Sequence, residues 1–221
     1  MNRPSLSFIR LLSLLFCLIL IVSCSPKPPV EEREFLESDL VELVKLDSSI
    51  RLDIRYATDQ NLINKVVYKE SRAFLQRPAA EALLKAHHAL EAQGYGLLVF
   101  DGYRPWHVTK LFWDLTPENL REFVANPERG SRHNRGCAVD VSMYHLDTGK
   151  AVQMTSDFDE LSETASSDYE GGTSEQRSNR DLLIQTMEQH GFKVLSNEWW
   201  HFDYQGWENY RIENIQFSEI N

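Results

Sequence analysis

The chain has 221 residues, of which 42% are hydrophobic and 25% charged, with a formal net charge of −10 at pH 7. This length and composition suit one compact domain with a leader. Residues 1–24 hold two arginines and no acid, so the rest of the chain carries a formal charge of −12. A surface this acidic, without a basic patch, repels nucleic acid and anionic lipid head groups, so we expect no nucleic-acid partner.

The first 24 residues have the features of an export signal. Arg3 and Arg10 precede the apolar run LLSLLFCLILIV, which is too short for a comfortable membrane span. The run ends in IVSC, which resembles the end of a bacterial lipoprotein signal, in which Cys24 would be lipidated and become the mature N-terminus. An ordinary secretory signal and an uncleaved anchor are the alternatives. We expect a lipoprotein that this lipid anchors to a membrane, facing the periplasm or the cell exterior; Ser25 favours the outer membrane where a cell has two.

The segment after the leader predicts a linker. Residues 25–38, SPKPPVEEREFLES, are rich in Pro and Glu, which is typical of a solvated, flexible tether before a domain that covers 39–221. Cys17 lies in the leader and Cys24 would carry lipid, so Cys137 has no partner for a disulfide. We expect Cys137 to be a small buried apolar residue.

Apolar periodicity, Gly and Pro predict the elements of the first half of the domain. The alternation in SIRLDIRY predicts a strand at 49–56 with its apolar side chains on one face. The stretch RPAAEALLKAHHALEAQG predicts a helix, with Pro78 in its first turn and Gly94 beyond its end. LLVF at 97–100 predicts a short buried strand that leads into the loop DGYRP.

The second half of the chain places helices irregularly between strands. Pro105 and the pair Thr116-Pro117 each open a helix, CAVDVSMY is a strand, and HLDTGK is a turn that leads to a second strand. Ser178 caps a helix that ends at Gly191, and FKVL and EWWHFDY are the last two strands. Because strands come in adjacent pairs, the sequence predicts an α+β fold with a mostly antiparallel sheet flanked by helices.

Polar groups that could form a catalytic metal site lie in separate segments. The stretch SRHNRGCAVD contains His133 and Asp140, and EWWH adds Glu198 and His201. A catalytic zinc site takes three protein ligands and keeps one open position, and a carboxylate beside it can move protons. A dication would also neutralise Asp140, whose burial as an unpaired charge in a strand would cost several kcal/mol.

Each of these residues also has an ordinary structural interpretation. A single histidine near a Gly-rich turn is usually capped or solvated. Asp140 could pair with Arg104 or Arg132, and Glu198 with His201 could be a cross-strand polar pair. The residue types alone therefore leave the metal site and the structural interpretations open.

Taken together, the motifs resemble those of the zinc D-alanyl-D-alanine dipeptidases, the family that includes the vancomycin-resistance dipeptidase. SRHNRGCAVD is similar to the family's Ser-x-His-x-x-Gly-x-Ala-x-Asp motif, EWWHF to its Glu-x-Trp-His and DGYRP to its Asp-x-Tyr-Arg-Pro. IRYAT and MTSDFDE are weaker similarities. The resemblance runs from about Val41 to about Tyr204, with all motifs in the family's order.

The resemblance implies a fold and a cofactor. The fold would be the small α+β zinc D,D-peptidase fold shared with hedgehog signalling domains, and it would occupy residues 39–221. One Zn²⁺ per chain would be bound by His133, Asp140 and His201. The other five histidines match no motif, and we expect them on the surface or on helix faces: His87, His88, His107, His145 and His190.

The resemblance also implies the reaction, hydrolysis of the dipeptide D-Ala-D-Ala, derived from the cell wall, to two D-alanines. Glu198 would be the general base and acid, and Arg104 would stabilise the oxyanion. Ser131 would line the substrate pocket, and Asp159 would pair with the free ammonium group of the substrate. Two alternatives stay open: a related zinc D,D-carboxypeptidase or peptidoglycan endopeptidase with a wider cleft, and a non-catalytic, zinc-stabilised binding module. The sequence does not indicate an oligomeric state.

Overall fold

The computed structural model describes residues 26–220. The predicted export signal and the predicted lipidation site, Cys24, therefore lie outside the described residues. Within residues 26–220, no helix combines the length and the apolar character that a membrane crossing requires.

The described part of the chain contains seven β-strands and four α-helices, joined by loops and short 3₁₀ turns. The strands are β1 (Leu40–Glu42), β2 (Arg51–Leu52), β3 (Phe74–Gln76), β4 (Tyr95–Asp101), β5 (Ala138–His145), β6 (Phe192–Leu195) and β7 (Glu198–Tyr204). The helices are α1 (Leu43–Leu46), α2 (Arg77–Glu91), α3 (Trp106–Leu115) and α4 (Ser174–Gln189).

The strands form a two-stranded sheet and a five-stranded sheet. In the smaller sheet β1 pairs with β3. In the larger sheet the order is β2-β4-β5-β7-β6; β2 and β4 are parallel, and all other neighbouring pairs are antiparallel. Helix α2 packs against β4, α4 packs against β6, and the two helices contact each other. The predicted α+β fold, with a mostly antiparallel sheet flanked by helices, is confirmed.

The central strand of the larger sheet is covered on both faces. Successive residues of a strand point to opposite faces, and every residue of β5 except His145 is buried. Cys137, just before β5, is also buried, as expected. A charged side chain on this strand therefore has little access to bulk water and needs a compensating partner.

Two predicted strands are shorter in the structure. The alternating segment 49–56 is extended only at Arg51–Leu52 and then forms a 3₁₀ turn at Arg55–Ala57. The strand predicted after HLDTGK is reduced to one bridge, between Tyr144 and Ala151. In both segments the chain leaves its neighbouring strand after a few residues, so the ladder of hydrogen bonds ends there.

Helix α4 begins earlier than predicted, because its N-cap is Thr173 and not Ser178. The Thr173 hydroxyl accepts a hydrogen bond from Gln176 N–H at 3.1 Å, and Thr173 N–H donates to Gln176 Oε1 at 2.8 Å. This capping box provides hydrogen-bond acceptors for two backbone N–H groups at the start of the helix. Gly191 follows the helix with a φ of +87°, consistent with the predicted end.

Of the two predicted locations, the surface or a helix face, His87 takes the second, because it lies on the inward face of α2. It is fully buried. Its Nδ1 accepts a hydrogen bond from Leu97 N–H at 3.1 Å, so the protonated Nε2 donates to Ser49 Oγ at 2.8 Å. Burial lowers the pKa of His87, which keeps the ring neutral at pH 7. His87 is a core residue that ties α2 to β4.

Candidate active site

Three neighbouring strands bring Asp101, Asp140 and His201 side by side. Asp140 on β5 lies opposite Asp101 at the end of β4 and opposite His201 on β7. Opposed residues of an antiparallel pair point to the same face of the sheet. A bulge between Val99 and Asp101 makes Asp101, and not Phe100, the residue opposite Asp140. All three side chains are buried.

His133 reaches the same place from the loop before β5. Residues His133–Arg135 form a single 3₁₀ turn that ends at Gly136, whose φ is +66°. A Cβ at Gly136 would lie 2.5 Å from Leu40 Cδ2, so this reversal needs a glycine. His133 Nδ1–H donates a hydrogen bond to Gly102 O at 2.7 Å, which fixes the plane of the imidazole ring.

Three potential ligand atoms converge at this point: His133 Nε2, His201 Nδ1 and Asp140 Oδ1. The two ring nitrogens are 3.1 Å apart. The Asp140 oxygen lies 3.1 Å from the His201 nitrogen and 3.3 Å from the His133 nitrogen. The structure thus brings together the three residues that the sequence nominates as metal ligands.

The size of this triangle fits a tetrahedral metal ion. Three corners of a tetrahedron around Zn²⁺, with bonds of about 2.0–2.1 Å, lie about 3.3 Å apart. The other nitrogen of each ring donates a hydrogen bond: that of His133 to Gly102 O, and that of His201 to Asp203 Oδ1 at 3.0 Å. Such bonds fix the tautomer that presents the free nitrogen to a metal. These residues therefore can hold a divalent ion with three protein ligands.

The electrostatics of the site favour a positive charge. Burial opposes protonation of His201, but the carboxylates of Asp140 and Asp203 raise its pKa to about 10. Burial also opposes ionisation of Asp140, yet the imidazole rings of His133 and His201 hold its pKa below the usual range. A cation among these groups would take the place of the proton that the carboxylates of Asp140 and Asp203 stabilise on His201.

A cavity of about 300 Å³ is lined by the three converging residues and by Glu198, the first residue of β7. Burial, together with the negative charges of Asp140 and Asp159, raises the pKa of Glu198 to about 7. A carboxyl group with such a pKa can accept and return a proton near neutral pH. The volume lies at the lower end of the range for ligand pockets, about 300–1,000 Å³, and suits a small molecule.

Arg104 lines the cavity, and its guanidinium lies beside two aromatic rings. Its guanidinium carbon is 5.1 Å from the ring centres of both Tyr56 and Phe112. The Nε and Nη2 atoms of Arg104 lie 2.9 Å and 2.8 Å from Asp101 Oδ2, and Nη2 lies 3.7 Å from Asp140 Oδ2. A buried carboxylate thus holds the guanidinium in place beside the candidate metal ligands.

Asp159 lines the cavity from a backbone conformation that few residues adopt, with a φ of +62°. Its carboxylate accepts hydrogen bonds from Tyr56 O–H at 3.1 Å and from Leu62 N–H at 3.2 Å. Burial, followed by the charge of Asp140, raises the pKa of Asp159 to about 7. A cationic partner such as an ammonium group would stabilise this carboxylate.

Ser131 lies at the start of the turn that carries His133. Its hydroxyl accepts a hydrogen bond from His133 N–H at 3.2 Å, and its own N–H donates to Asn134 Oδ1 at 2.8 Å. All the predicted site residues within the described range line the same cavity: Arg104, Ser131, His133, Asp140, Asp159, Glu198 and His201.

Comparison with known proteins identifies the family of this chain. Residues 36–219 match the model of a peptidase family described as D-Ala-D-Ala dipeptidase. The chain belongs to this family. The D-alanyl-D-alanine dipeptidase of Enterococcus faecium is 36% identical over 185 residues, which cover 76% of this chain and 92% of the relative. That of Escherichia coli is 29% identical over 181 residues, covering 82% and 92%.

One solved structure, of the vancomycin-resistance D,D-dipeptidase VanXYg with a D-Ala-D-Ala phosphinate analogue, is also similar. Its TM-score is 0.40 at 18% identity, covering 76% of this chain and 67% of that chain.

Three residues of this D-Ala-D-Ala dipeptidase family member stand at the site although sequence reasoning assigns them no role. Asp101 holds Arg104, Asp203 holds His201, and Tyr56 holds Asp159. Two of them carry a recognisable signal. Asp101 begins the DGYRP motif, and Asp203 stands two residues after a nominated ligand in a strand, which places both side chains on one face.

Proposed function

We propose that this chain is a zinc-dependent dipeptidase that hydrolyses D-Ala-D-Ala to two D-alanines. The observation that carries the proposal is the triangle of ligand atoms, 3.1–3.3 Å on each side, in a cavity that also contains a carboxyl group of raised pKa. Membership of the family and the names of the relatives support the choice of substrate.

The reaction needs a nucleophilic water, a proton carrier and stabilisation of negative charge. Zinc, when bound by His133, Asp140 and His201, supplies a Lewis acid. Glu198 takes a proton from the attacking water and passes it to the leaving amine. Arg104 stabilises the negative charge that develops on the carbonyl oxygen. Because Arg104 is already fixed, its charge needs no reorganisation during the reaction.

Substrate selection depends on the free amine of the dipeptide. Asp159 pairs with the ammonium group, which offsets the burial that raises the pKa of this carboxyl. Ser131 lines the same pocket. An acylated amine brings no charge to Asp159 and is therefore rejected. The cavity of about 300 Å³ also favours a free dipeptide over a peptidoglycan stem.

Cleavage of D-Ala-D-Ala and of N-acetyl-D-Ala-D-Ala should therefore differ sharply. The zinc-loaded protein should release D-alanine from the free dipeptide, lose this activity with a chelator, and cleave the acetylated form at least about a hundredfold less efficiently, as measured by kcat/KM. Asp159→Asn should narrow this ratio, mainly by raising KM for the free dipeptide. Asp157→Asn, an exposed neighbour, is the matched control and should leave the ratio unchanged.

Two results of this comparison would contradict the proposal. Equal cleavage of both peptides would favour the carboxypeptidase alternative, since no buried charge would then select the amine. No cleavage of either peptide by protein with confirmed zinc content would reject the dipeptidase.

The N-terminal sequence supports a second proposal, that the protein is exported and anchored to a membrane by a lipid on Cys24. There it would act on wall-derived dipeptide in scavenging or remodelling. Cys24→Ala should abolish incorporation of labelled palmitate. Cys17→Ala, in the apolar run, should not. Retention of the label by the Cys24→Ala variant would exclude this anchor.

A further inference from the structure

The segment around Glu31 lies against the domain, although its composition predicts a tether. Glu31 Oε2 accepts a hydrogen bond from Ile212 N–H at 3.2 Å, and Leu36 N–H donates to Asn209 O at 2.9 Å. Glu31 stands before the stretch that matches the family, residues 36–219. The contact is therefore a feature of this chain outside the matched region.

Glu31 also forms a bidentate ion pair with Arg135. Their Oε1 and Nη2 atoms are 2.6 Å apart, and Oε2 and Nη1 are 3.2 Å apart. Arg135 is only 6% exposed, and its guanidinium carbon lies 5.4 Å from the ring centre of Trp207. A planar guanidinium that binds a carboxylate through two parallel hydrogen bonds is held in both position and orientation.

No other carboxylate in the described residues 26–220 forms a salt bridge with Arg135. Burial opposes ionisation of Glu31, but Arg135 lowers its pKa below the usual value, so the pair is charged at pH 7. Without Glu31, Arg135 would keep the hydrogen bond that its Nη1–H donates to Tyr210 O, but its buried charge would have no carboxylate partner, which favours a shift of the guanidinium toward water.

Arg135 belongs to the 3₁₀ turn that presents His133. A shift of the Arg135 side chain toward solvent therefore pulls on the short turn that sets the position of His133 Nε2. The backbone of this turn has other supports, because Gln76 Nε2–H donates to Arg135 O at 3.2 Å and Asn134 Nδ2–H donates to Arg104 O at 2.8 Å. Loss of the ion pair should thus loosen the ligand and not release it.

We propose that Glu31 is a positioning residue for the metal centre: its ion pair with Arg135 fixes the turn that presents His133. The segment that connects the domain to its leader is then part of the machinery that holds the metal. This inference rests on the proposed metal site, and not on the identity of the substrate.

The test measures zinc affinity by competition with a chelator, in the full chain and without substrate. Glu31→Gln should weaken zinc binding by about tenfold. This is the lower end of the loss in metal affinity seen when residues that orient metal ligands are mutated. Glu32→Gln makes the same charge change at an exposed neighbour and should leave the affinity unchanged. Glu31→Asp keeps the charge with a shorter side chain, so its affinity should be intermediate.

Thermal unfolding with and without zinc separates positioning from stability alone. If Glu31 positions the ligand, Glu31→Gln should reduce the rise in Tm that zinc produces, because that rise follows the affinity. If zinc raised the Tm of Glu31→Gln and Glu32→Gln equally, or if the two variants bound zinc with equal affinity, the inference would be overturned. Should Glu31→Gln fail to fold, Glu31→Asp against Glu32→Asp decides by the same two measures. A wild-type chain that binds no zinc would instead reject the proposed function together with this inference.

Discussion

Glu198→Gln should lower kcat for D-Ala-D-Ala by about a thousandfold, within the range of 10²–10⁴ for a general acid–base group. The amide keeps the size of the side chain but cannot take a proton from water. Glu198 lines the cavity but is not one of the three residues whose ligand atoms converge, so zinc affinity should stay close to that of wild type. Steady-state kinetics and zinc titration of the same preparation provide the measurement.

The pH profile supplies a second readout for Glu198. The lower limb of the wild-type profile reports an essential group that must be deprotonated, and this limb should be lost with the carboxyl group. Unchanged turnover in Glu198→Gln would mean that Glu198 is not the catalytic base. If the wild type also binds zinc without turnover, the non-catalytic binding module becomes the better description.

Asp140→Asn should abolish stable zinc binding and all activity. The substitution preserves shape but replaces the one anionic ligand of the triangle with a neutral amide, in a buried site where the imidazole rings of His133 and His201 already hold the pKa of Asp140 low. Asp147→Asn makes the same change at an exposed residue of the turn after β5 and should retain both properties. Metal content after gel filtration, with activity measured on the same fractions, checks the prediction.

The outcome of this experiment discriminates between the two interpretations of Asp140. If Asp140 served only as an ion-pair partner of Arg104, from whose Nη2 it lies 3.7 Å away, the variant would lose stability and keep its metal. Full zinc content in Asp140→Asn would therefore contradict the assigned ligand set.

The site was predictable from sequence because its chemistry is concentrated in short motifs. Asp140 and His201 stand in strands that the apolar residues around them indicate. Gly136 indicates the turn that brings His133 close to these two residues. The motifs do not indicate which of their residues lie close together in space. The contact between Asp140 and His201 depends on strand register, and the bulge that brings Asp101 opposite Asp140 leaves no pattern in a single sequence.

The elements were predictable where apolar periodicity and capping residues indicate the same bounds. They were less predictable where contacts with distant parts of the chain set those bounds. Helix α2 follows its apolar period, and EWWHFDY forms β7 at the predicted residues. The sequence does not fix the start of α4, because several Ser and Thr residues there can act as an N-cap. In the structure the Thr173–Gln176 pair forms both hydrogen bonds of the capping box. His87 stands four residues after Leu83 and three before Leu90, so the helical period places it on the buried face of α2, whereas its neighbour His88 is exposed.

The anchoring of Glu31 has a consequence for where the enzyme can work. Six residues separate Glu31 from Cys24, and with an acyl chain on Cys24, as proposed, they reach about 25 Å at full stretch. A globule of this chain length is about 40 Å across. The tether would then be shorter than the diameter of the domain, so the protein would stay close to the bilayer and could not move far into the cell wall. Its substrate must diffuse to it, which suits a small, freely released dipeptide.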